Sequence, residues 1–433
     1  MNLPEILAPA GDMEKLKTAV LYGADAVYFG GEIGSLRAKA GNFGIDEIFE
    51  GVKYCHDVGV KAYLTLNIYA HETDLSEVET YILAIKDAGI DAYIVSDPGI
   101  IYMLKDLLKD ARDGQGPDIH LSTQSNTTNS ASIKFWQSQG ISRIVLAREL
   151  TLEEIREIHE QVPDVELETF VHGAMCISYS GRCLLSNYMI GRDANKGECA
   201  HPCRWNYALV EEKRPGEYYP VYEDERGTYI MNSKDIAMIN HLPDLIDVGV
   251  TSFKIEGRMK SAYYVATVIK AYRLALDLVA SGMREDNPVY QRKMELIMKE
   301  LVKTSHREFI TGFFYHKPAA EDHDYGFNGY TREYSFIGSV ISYDPKTSLI
   351  KLEQRNKFEV GETIEIFEPY RIEDTVASKH DIDDDNMYYV NQAVVELFDE
   401  DMNPVDSAPH AQQVLYLKVD RPIAPNSLMR KAL

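Results

Sequence analysis

The chain repeats one pattern along roughly its first 170 residues: a short apolar run followed by a longer amphipathic segment. Apolar residues in the longer segments recur at i, i+3 and i+4, which indicates helices, and several of these segments end at glycine. The short runs are almost continuously apolar, which is typical of strands covered on both faces. Such repeated strand and helix units predict an α/β fold with a parallel sheet. The seven short runs are "EILAPA", "AVYFGG", "KAYLTLN", "AYIVSD", "DIHLSTQSN", "RIVLAREL" and "LETFVHG".

An eighth run, "SFKIEGR" at residues 252–258, comes much later and precedes a long helical pattern. Eight strands, most of them followed by a helix, favour a TIM-type (β/α)8 barrel. A doubly wound sheet has less support, because no GxGxxG follows the first strand. We therefore expect a barrel catalytic domain over 1–280, with an insertion at about 174–250 after the seventh strand.

The pattern changes towards the C-terminus. A charged helical and irregular connector occupies 281–331, and from residue 332 apolar and polar residues alternate, with turn signals at Asp-Pro and Val-Gly. This alternation indicates short antiparallel strands with one buried face. We predict a small antiparallel β-barrel domain over 332–433.

Composition and charge narrow the function classes. The chain has 433 residues, of which 45% are hydrophobic and 26% charged, so it can bury a substantial core. No basic segment precedes an apolar run at the N-terminus, and no run of about 18 apolar residues occurs, so we expect a cytoplasmic protein without a membrane segment. The formal charge of −23 opposes broad contact with nucleic-acid phosphates, although it is compatible with a local basic site.

Polar and charged side chains stand where the predicted strands end. In a parallel barrel these ends converge on one open face, which holds the active site. Arginine and lysine there suit an anionic small molecule, and carboxylates and histidine suit acid–base chemistry. The same residues would also suit structural ion pairs at the barrel mouth. The predicted substrate-binding residues are Asn67, Gln124, Arg148, Lys254 and Arg258, and the predicted catalytic residues are Glu168, His172 and Glu256.

Four of the five cysteines form one cluster with the spacing C-x6-C-x15-C-x3-C: Cys176, Cys183, Cys199 and Cys203. Disulfides are disfavoured in the cytoplasm, so clustered cysteines indicate metal or redox chemistry. Only the last pair has the close spacing of a zinc ribbon, whereas a [4Fe–4S] cluster accepts four cysteines at varied spacings. Spacing alone therefore leaves zinc and [4Fe–4S] both open. Cys55, in a helical pattern, is expected to be a buried small hydrophobe.

Protease chemistry has weaker support in the motifs. The chain contains neither HExxH nor GxSxG. His172 and Cys176 lie at i and i+4 and could pair, but a single nucleophile would leave the other three clustered cysteines without a role.

The stretch "ETFVHGAMCISYSGRCLLS" resembles the signature of the collagenase-like peptidase family U-32. The opening "LAPAGDMEKLKTAVLYGADAVYFG" and the later "FKIEGRMKS" and "SHREFITGFF" also resemble that family, so the likeness covers at least 1–315. The C-terminal domain resembles the accessory domain of its longer members. The fixed signature positions present are Glu168, Phe170, Gly173, Ala174, Cys176, Gly181, Cys183 and Ser186.

This resemblance implies a function. Several bacterial branches of the family are linked to oxygen-independent hydroxylation, and this chain looks closest to the branch that forms 5-hydroxyuridine at the tRNA wobble position. The resemblance implies prephenate as the hydroxyl source and a [4Fe–4S] cluster on Cys176, Cys183, Cys199 and Cys203. The expected partners are the tRNA anticodon loop, prephenate and a paralogous family subunit.

The cysteine segment is less acidic than the chain as a whole, with six basic and four acidic residues between 176 and 214. We expect the anticodon loop to dock over it and to present a splayed-out uridine to the barrel mouth, with Tyr179, Tyr188 and Trp205 as stacking candidates. Two alternatives stay open. One is a peptidase acting on collagen-like or other peptides, and the other is a tRNA-binding or assembly subunit without catalysis.

Overall fold

The computed structural model describes residues 3–36, 41–174, 185–192, 194, 199–200, 202, 208–209, 219–220, 234–284, 286–316, 331–370 and 389–433. Within these ranges, no helix is both long enough and apolar enough to span a membrane.

The described parts of the first 310 residues contain twelve strands. Eight of them, β1 to β7 and β11, pair in parallel, and the pairing of β11 with both β7 and β1 closes the barrel. The predicted TIM-type barrel is therefore confirmed. The strands are β1 Glu5–Ala10, β2 Ala26–Gly30, β3 Lys61–Leu66, β4 Ala92–Val95, β5 Ile119–Leu121, β6 Arg143–Val145, β7 Glu166–Ala174, β8 Ala208–Leu209, β9 Tyr219–Pro220, β10 Asp235–Ala237, β11 Val250–Ile255 and β12 Phe309–Ile310.

Helices follow most of the barrel strands, as the apolar periodicity predicts. Several begin where a side chain caps the first turn: Asp97 accepts from the backbone of Gly99 and Ile100, and Thr151 and Glu154 form a capping box. The helices are α1 Met13–Leu21, α2 Ile45–Asp57, α3 Leu75–Ile85, α4 Pro98–Leu107, α5 Ala111–Gly114, α6 Ser130–Ser138, α7 Leu152–Gln161, α8 Leu185–Ile190, α9 Leu242–Asp247, α10 Ala262–Ala280 and α11 Pro288–Leu301.

Two strands are shorter than their apolar runs predict. The run "DIHLSTQSN" is a strand only as far as Leu121, because Thr123–Ser125 form a 3-10 turn that ends at Asn126 with φ of 52°. The run "RIVLAREL" is a strand only over Arg143–Val145. The residues beyond these strands consequently belong to the loops of the barrel mouth.

The interval between β7 and β11 is confirmed as an insertion. Its described parts include α8, the antiparallel pair β8 and β9, and β10, which pairs antiparallel with β7 and parallel with β12. Strand β10 thus extends the sheet beside the end of β7 from which the cysteine segment departs.

The C-terminal domain contains a seven-stranded antiparallel sheet in the order β17-β16-β21-β13-β14-β20-β18. Alternate residues of its strands are buried around Ile337, Leu352, Ile366 and Leu417, which matches the predicted alternation. The strands are β13 Tyr334–Asp344, β14 Leu349–Gln354, β15 Phe358–Glu359, β16 Thr363–Phe367, β17 Val390–Ala393, β18 Leu397–Phe398, β19 Ser407–Ala408, β20 Val414–Lys418 and β21 Leu428–Ala432.

The chain divides into two compact units at places other than the predicted domain limits of 280 and 331. The first unit comprises 1–20, 24–260 and 307–329, and the second comprises 21–23, 261–306 and 330–433. Helix α10 belongs to the second unit, where Tyr263 stacks on Phe336 with ring centroids 5.8 Å apart and Lys270 donates to the carbonyl of Glu368. These contacts explain why the helix groups with the antiparallel sheet.

Candidate functional site

A pocket opens at the C-terminal ends of the barrel strands, with about 480 Å³ of empty space that includes its open mouth. Its apolar lining includes Tyr28, Leu36, Ile94, Val145 and Phe170. Such a mixture of apolar walls and a few convergent polar groups is typical of small-molecule sites. Six of the eight predicted barrel site residues line it, namely Asn67, Gln124, Arg148, Lys254, Glu256 and Arg258.

Arg148 follows β6 and is 9% exposed. Its Nη1 donates to the carbonyl of Ala174 over 2.8 Å, and its guanidinium carbon lies 3.9 Å from the ring centroid of Phe170. Its Nε is buried and has no hydrogen-bond partner among the described residues. Arg148 therefore offers donors that the described part of the chain does not use.

No described carboxylate lies within ion-pair distance of Arg148. The adjacent residue, Glu149, is half-buried, and burial raises its pKa while backbone hydrogen bonds and the charge of Arg148 act in the opposite direction. The described surroundings thus leave the arginine without a carboxylate in direct contact.

Lys254, near the end of β11, lies beside the same pocket with its charge already paired. Its Nζ contacts Glu168 Oε1 at 2.6 Å and lies 4.5 Å from the ring centroid of Tyr28. Glu168 is fully buried on β7, and its other carboxylate oxygen accepts from Arg143 over 3.3 Å. Glu168 is therefore a carboxylate held between two cations below the pocket.

Arg143 extends this network towards the N-terminal end of the barrel. It donates to Glu5 over 2.6 Å and to Glu166 over 2.7 Å, and Glu5 also accepts from the hydroxyl of Tyr63 at 2.7 Å. Burial alone would lower the pKa of Arg143, but the carboxylates of Glu5 and Glu168 raise it well above its ordinary value. We call Glu5, Arg143, Glu168 and Lys254 the barrel ion network.

His120 lies beside that network on β5. It is 3% exposed, and its ring meets the edge of Tyr63 with centroids 4.8 Å apart. Burial, together with the charges of Arg143, Lys254 and Lys61, holds its pKa well below the usual range. The imidazole is consequently neutral at physiological pH.

Arg258 follows β11, and its donors are directed at the loop after β2 and at Thr65 on β3. Nη1 donates to the hydroxyl of Ser35 and the carbonyl of Leu36, each over 2.8 Å, and to Thr65 over 3.2 Å, while Nη2 donates to Asn42 over 2.8 Å. Gly30 packs so closely that an added Cβ would lie 2.2 Å from Nη2. Arg258 thus holds the rim of the pocket in place.

Asn67 and Gln124 bring neutral polar groups to the pocket. Asn67 Oδ1 accepts from the backbone of Leu36 over 3.1 Å. Gln124 Oε1 accepts from the hydroxyl of Ser122, and the Gln124 carbonyl accepts from Tyr69 and from Asn126. Both residues lie in the loops that the predicted strand ends indicated.

Glu256 and His172, both predicted catalytic residues, are placed differently. Glu256 is half-buried and lines the pocket, and its backbone N–H donates to the carbonyl of His172 over 2.9 Å. The His172 ring is 2% exposed and packs against Phe309 with centroids 5.4 Å apart, so it is not among the residues that line the pocket. Gly173, which follows His172, has φ of 106°, and an added Cβ there would lie 2.8 Å from the Glu256 carbonyl.

Among the four clustered cysteines, only Cys199 falls within the described residues, where it is half-buried. Cys176, Cys183 and Cys203 lie outside those residues, as do Tyr179, the Tyr188 side chain and Trp205. The described residues contain no group of three or more metal-binding side chains. The predicted ligand set therefore stays a prediction.

Sequence reasoning missed the lower half of this arrangement. Arg143, which contacts Glu168 directly, was not predicted. Neither were Glu5, which pairs with Arg143, Tyr63, which donates to Glu5, and His120, which packs on Tyr63. One signal was present: Arg143 opens a strand that is otherwise fully apolar. A charge in such a run requires a buried partner.

The chain matches two family models along most of its length. The model described as peptidase family U32 matches residues 11–324, and the model of the peptidase family U32 C-terminal domain matches residues 332–430. The chain is 41% identical to the tRNA hydroxylation protein P1 of Bacillus subtilis strain 168 over 428 residues, which cover 99% of this chain and 94% of that protein.

Two further relatives are similar over most of their length. The tRNA hydroxylation protein P of Escherichia coli strain K12 is 37% identical over 410 residues, covering 85% of this chain and 87% of that protein. A protein named collagenase from Porphyromonas gingivalis strain ATCC BAA-308 / W83 is 33% identical over 378 residues, covering 84% of this chain and 86% of that protein.

Proposed function

The chain belongs to peptidase family U32, and from that membership we propose that it is an RNA-hydroxylating enzyme that converts the wobble uridine of tRNA to 5-hydroxyuridine. The names of its relatives from Bacillus subtilis and Escherichia coli support hydroxylation of tRNA. The wobble uridine as target comes from the resemblance of the sequence to the corresponding branch of the family.

One structural observation carries the proposal: a buried arginine without a described carboxylate partner lines a pocket at the mouth of a closed parallel barrel. This mouth is where (β/α)8 barrels place their active sites. Arg148 also donates to Ala174, the last residue of β7, so the pocket adjoins the point from which the cysteine segment departs. A co-substrate in the pocket would thus lie beside that segment.

Prephenate is the hydroxyl source in this proposal. It is a dicarboxylate with a ring, and the pocket combines cationic side chains with apolar walls formed in part by Tyr28 and Phe170. A carboxylate pairs well with an arginine fork, which makes Arg148 the first candidate for its binding.

The second cofactor in the proposal is a [4Fe–4S] cluster on Cys176, Cys183, Cys199 and Cys203, with zinc as the alternative metal. Cys199 is half-buried, and the other three cysteines lie outside the described residues. When bound, the cluster would supply electron transfer or activate the substrate. Iron and acid-labile sulfide in protein purified without oxygen test this part, and one zinc without sulfide would remove it.

The tRNA anticodon loop docks, in this proposal, over the cysteine segment. With a formal charge of −23, the chain neutralises few phosphates by itself, and a paralogous subunit would add contacts. A salt titration of tRNA binding checks this: we expect a shallow slope of log affinity against log salt concentration, and a steep slope would indicate a broad phosphate interface instead.

The decisive experiment uses a bacterial strain that lacks its own tRNA hydroxylation proteins. The strain is supplied with the wild-type chain, with Cys176→Ala or with Cys55→Ala, and the 5-hydroxyuridine content of its tRNA is measured by mass spectrometry. Cys55 is the matched control, because it is buried on α2 outside the cluster. We expect 5-hydroxyuridine with the wild-type chain and Cys55→Ala, and none with Cys176→Ala. Normal hydroxyuridine with Cys176→Ala would reject the cluster, and none with the wild-type chain would reject the function.

A second candidate function is a peptidase, and the relative named collagenase is the observation that favours it. Purified, metal-replete protein would then cleave gelatin, and mutation of a single cysteine would abolish cleavage. A third reading, an assembly or tRNA-binding subunit, predicts tRNA binding and normal hydroxyuridine content after substitution of Arg148 or Glu256.

A further inference from the structure

The guanidinium plane of Arg148 is fixed by two contacts. One face packs on the Phe170 ring at 3.9 Å, and Nη1 donates to the carbonyl of Ala174 over 2.8 Å. Stacking and a backbone hydrogen bond together leave the side chain little rotational freedom. The direction in which its remaining donors point is therefore set before any ligand arrives.

Neither of these two contacts uses the edge of the guanidinium that Nε and Nη2 form. Nε is buried without a hydrogen-bond partner among the described residues, on a side chain whose residue is 9% exposed. A buried donor without a partner is costly, and a buried cation without a counter-charge is more so. That edge also has the spacing that receives both oxygens of a carboxylate at once.

The two other cationic side chains that line the pocket already have partners for their terminal nitrogens. Lys254 is paired with Glu168 at 2.6 Å, and Arg258 donates to four oxygens of its own surroundings. Neither therefore offers what Arg148 offers, a two-donor edge that the described contacts leave open.

We propose that the pocket binds one carboxylate, side-on at the Nε and Nη2 edge of Arg148, and that this group belongs to a small molecule with a planar apolar body. Tyr28, Val145 and Phe170 supply apolar surface for that body. The proposal rests on the proposed function in placing the co-substrate at the barrel mouth. It narrows the ligand class there, since a second carboxylate of the same molecule would meet no second open arginine fork among the residues that the structure describes.

A phosphate would satisfy the same two donors. The burial of Arg148 favours the small carboxylate, because a phosphodiester within RNA carries a substituent on either side and would have to reach an arginine that is itself only 9% exposed. Phenyl phosphate and benzoate, which share a ring, separate the two anions experimentally.

The test is calorimetric titration of the full chain with benzoate, with its neutral counterpart benzamide, with phthalate and with phenyl phosphate. For wild-type protein we expect benzoate to bind at least about tenfold more tightly than benzamide, as a charge-assisted bidentate pair requires. We expect phthalate to gain nothing over benzoate from its second carboxylate. Equal binding of benzoate and benzamide would overturn the proposal, and so would preferential binding of phenyl phosphate.

Variants locate the site. Arg148→Gln is expected to lose about tenfold or more in benzoate affinity, and Arg148→Lys to fall between it and the wild type, because lysine keeps the charge but not the fork. Arg156→Gln on the exposed face of α7 is the matched control and is expected to bind as the wild type does. Unchanged benzoate affinity in folded Arg148→Gln would contradict the proposal. These titrations need no RNA. A negative result would therefore reject the carboxylate site, whereas absence of 5-hydroxyuridine in the complementation experiment would reject the proposed function.

Discussion

Arg430 of the second unit and Arg148 of the barrel are both buried arginines, yet their surroundings differ. Arg430 is fully buried; it donates through Nε to Glu365 over 2.7 Å, through Nη2 to Glu300 and through Nη1 to the hydroxyl of Tyr263 over 3.3 Å. Arg148 has one hydrogen bond to a carbonyl and no described carboxylate partner. The fold satisfies Arg430, whereas the described residues leave Arg148 with donors that have no partner.

This difference distinguishes a buried charge that stabilises the fold from a buried charge that can bind a ligand. A charge surrounded by carboxylates belongs to the structure, because removing it leaves those carboxylates buried without a counter-charge. A buried charge with open donors at the mouth of a pocket instead costs stability in the free protein, and a ligand that pairs with it removes that cost. The barrel ion network, with Glu168 between Arg143 and Lys254, belongs to the first kind although it reaches the pocket.

The largest expected effect is that of Arg430→Met on stability. The substitution leaves Lys303 as the one described cation on Glu300 and Glu365, which its Nζ contacts at 2.6 and 2.9 Å. Because two buried carboxylates then share one positive charge, we expect the free energy of unfolding to fall by about 3–4 kcal/mol. Urea denaturation followed by fluorescence measures it, with the exposed Arg332→Met as control. A loss below about 1 kcal/mol would show that Arg430 is no more important for stability than Arg148 is expected to be, and would contradict the difference between the two arginines.

Glu168→Gln is expected to cost less, about 2–3 kcal/mol, because glutamine keeps the shape and an acceptor oxygen while losing two charge-assisted contacts. The same denaturation experiment measures it. Glu166→Gln is the matched control, since the Glu166 side chain is 52% exposed and also contacts Arg143. If Glu168→Gln were as stable as the control, Glu168 would not hold the network together.

The buried His120, which lies beside the barrel ion network, is expected to make the stability of the protein depend on pH. Its folded-state pKa is lowered, so below the unfolded value of about 6.5 the unfolded chain binds a proton that the folded chain does not. Above about pH 6.5 the group makes no pH-dependent contribution, and stability falls as the pH drops below that value. We expect His120→Asn to remove up to about 1.4 kcal/mol of this loss per pH unit.

Urea denaturation between pH 7 and pH 5 compares His120→Asn with the wild type and with the exposed His410→Asn. The wild type and His410→Asn should lose stability in parallel, and His120→Asn should lose less. Identical slopes for all three proteins would show that His120 becomes charged within the fold.

The smallest effect on stability is expected for Arg148→Gln, within about 1 kcal/mol of the wild type, because no described carboxylate loses its partner. Its effect on function is expected to be large, with 5-hydroxyuridine in the tRNA of the complemented strain reduced at least about tenfold. A strongly destabilised Arg148→Gln protein would show that Arg148, like Arg430, has a structural role.

Much of this arrangement was predictable from the sequence. The β–α repeat predicts the barrel, and the ends of its strands indicate Arg148, Lys254, Glu256 and Arg258 because those ends converge on one face. The pairing of these residues was not predictable. Arg143 meets Glu5 from 138 positions along the chain and Arg258 meets Ser35 from 223, so local patterning contains no trace of either contact.

Two further differences have local causes. His172 was expected at the mouth, but its ring packs against Phe309, a residue of β12 more than a hundred positions later. The strand at 118–126 was expected to be longer, and the 3-10 turn at Thr123–Ser125 shortens it. In both places the apolar pattern predicts that a strand exists. It does not predict where the strand ends or which way a side chain at its end points.

The most direct test of the contrast between the two arginines is a crystal structure of the full chain grown with benzoate. We expect the benzoate carboxylate on the Nε and Nη2 edge of Arg148, with the Nη1 bond to Ala174 intact and no benzoate at Arg430. A carboxylate of the protein itself on that edge would contradict it, because Arg148 would then be satisfied by the fold, as Arg430 is.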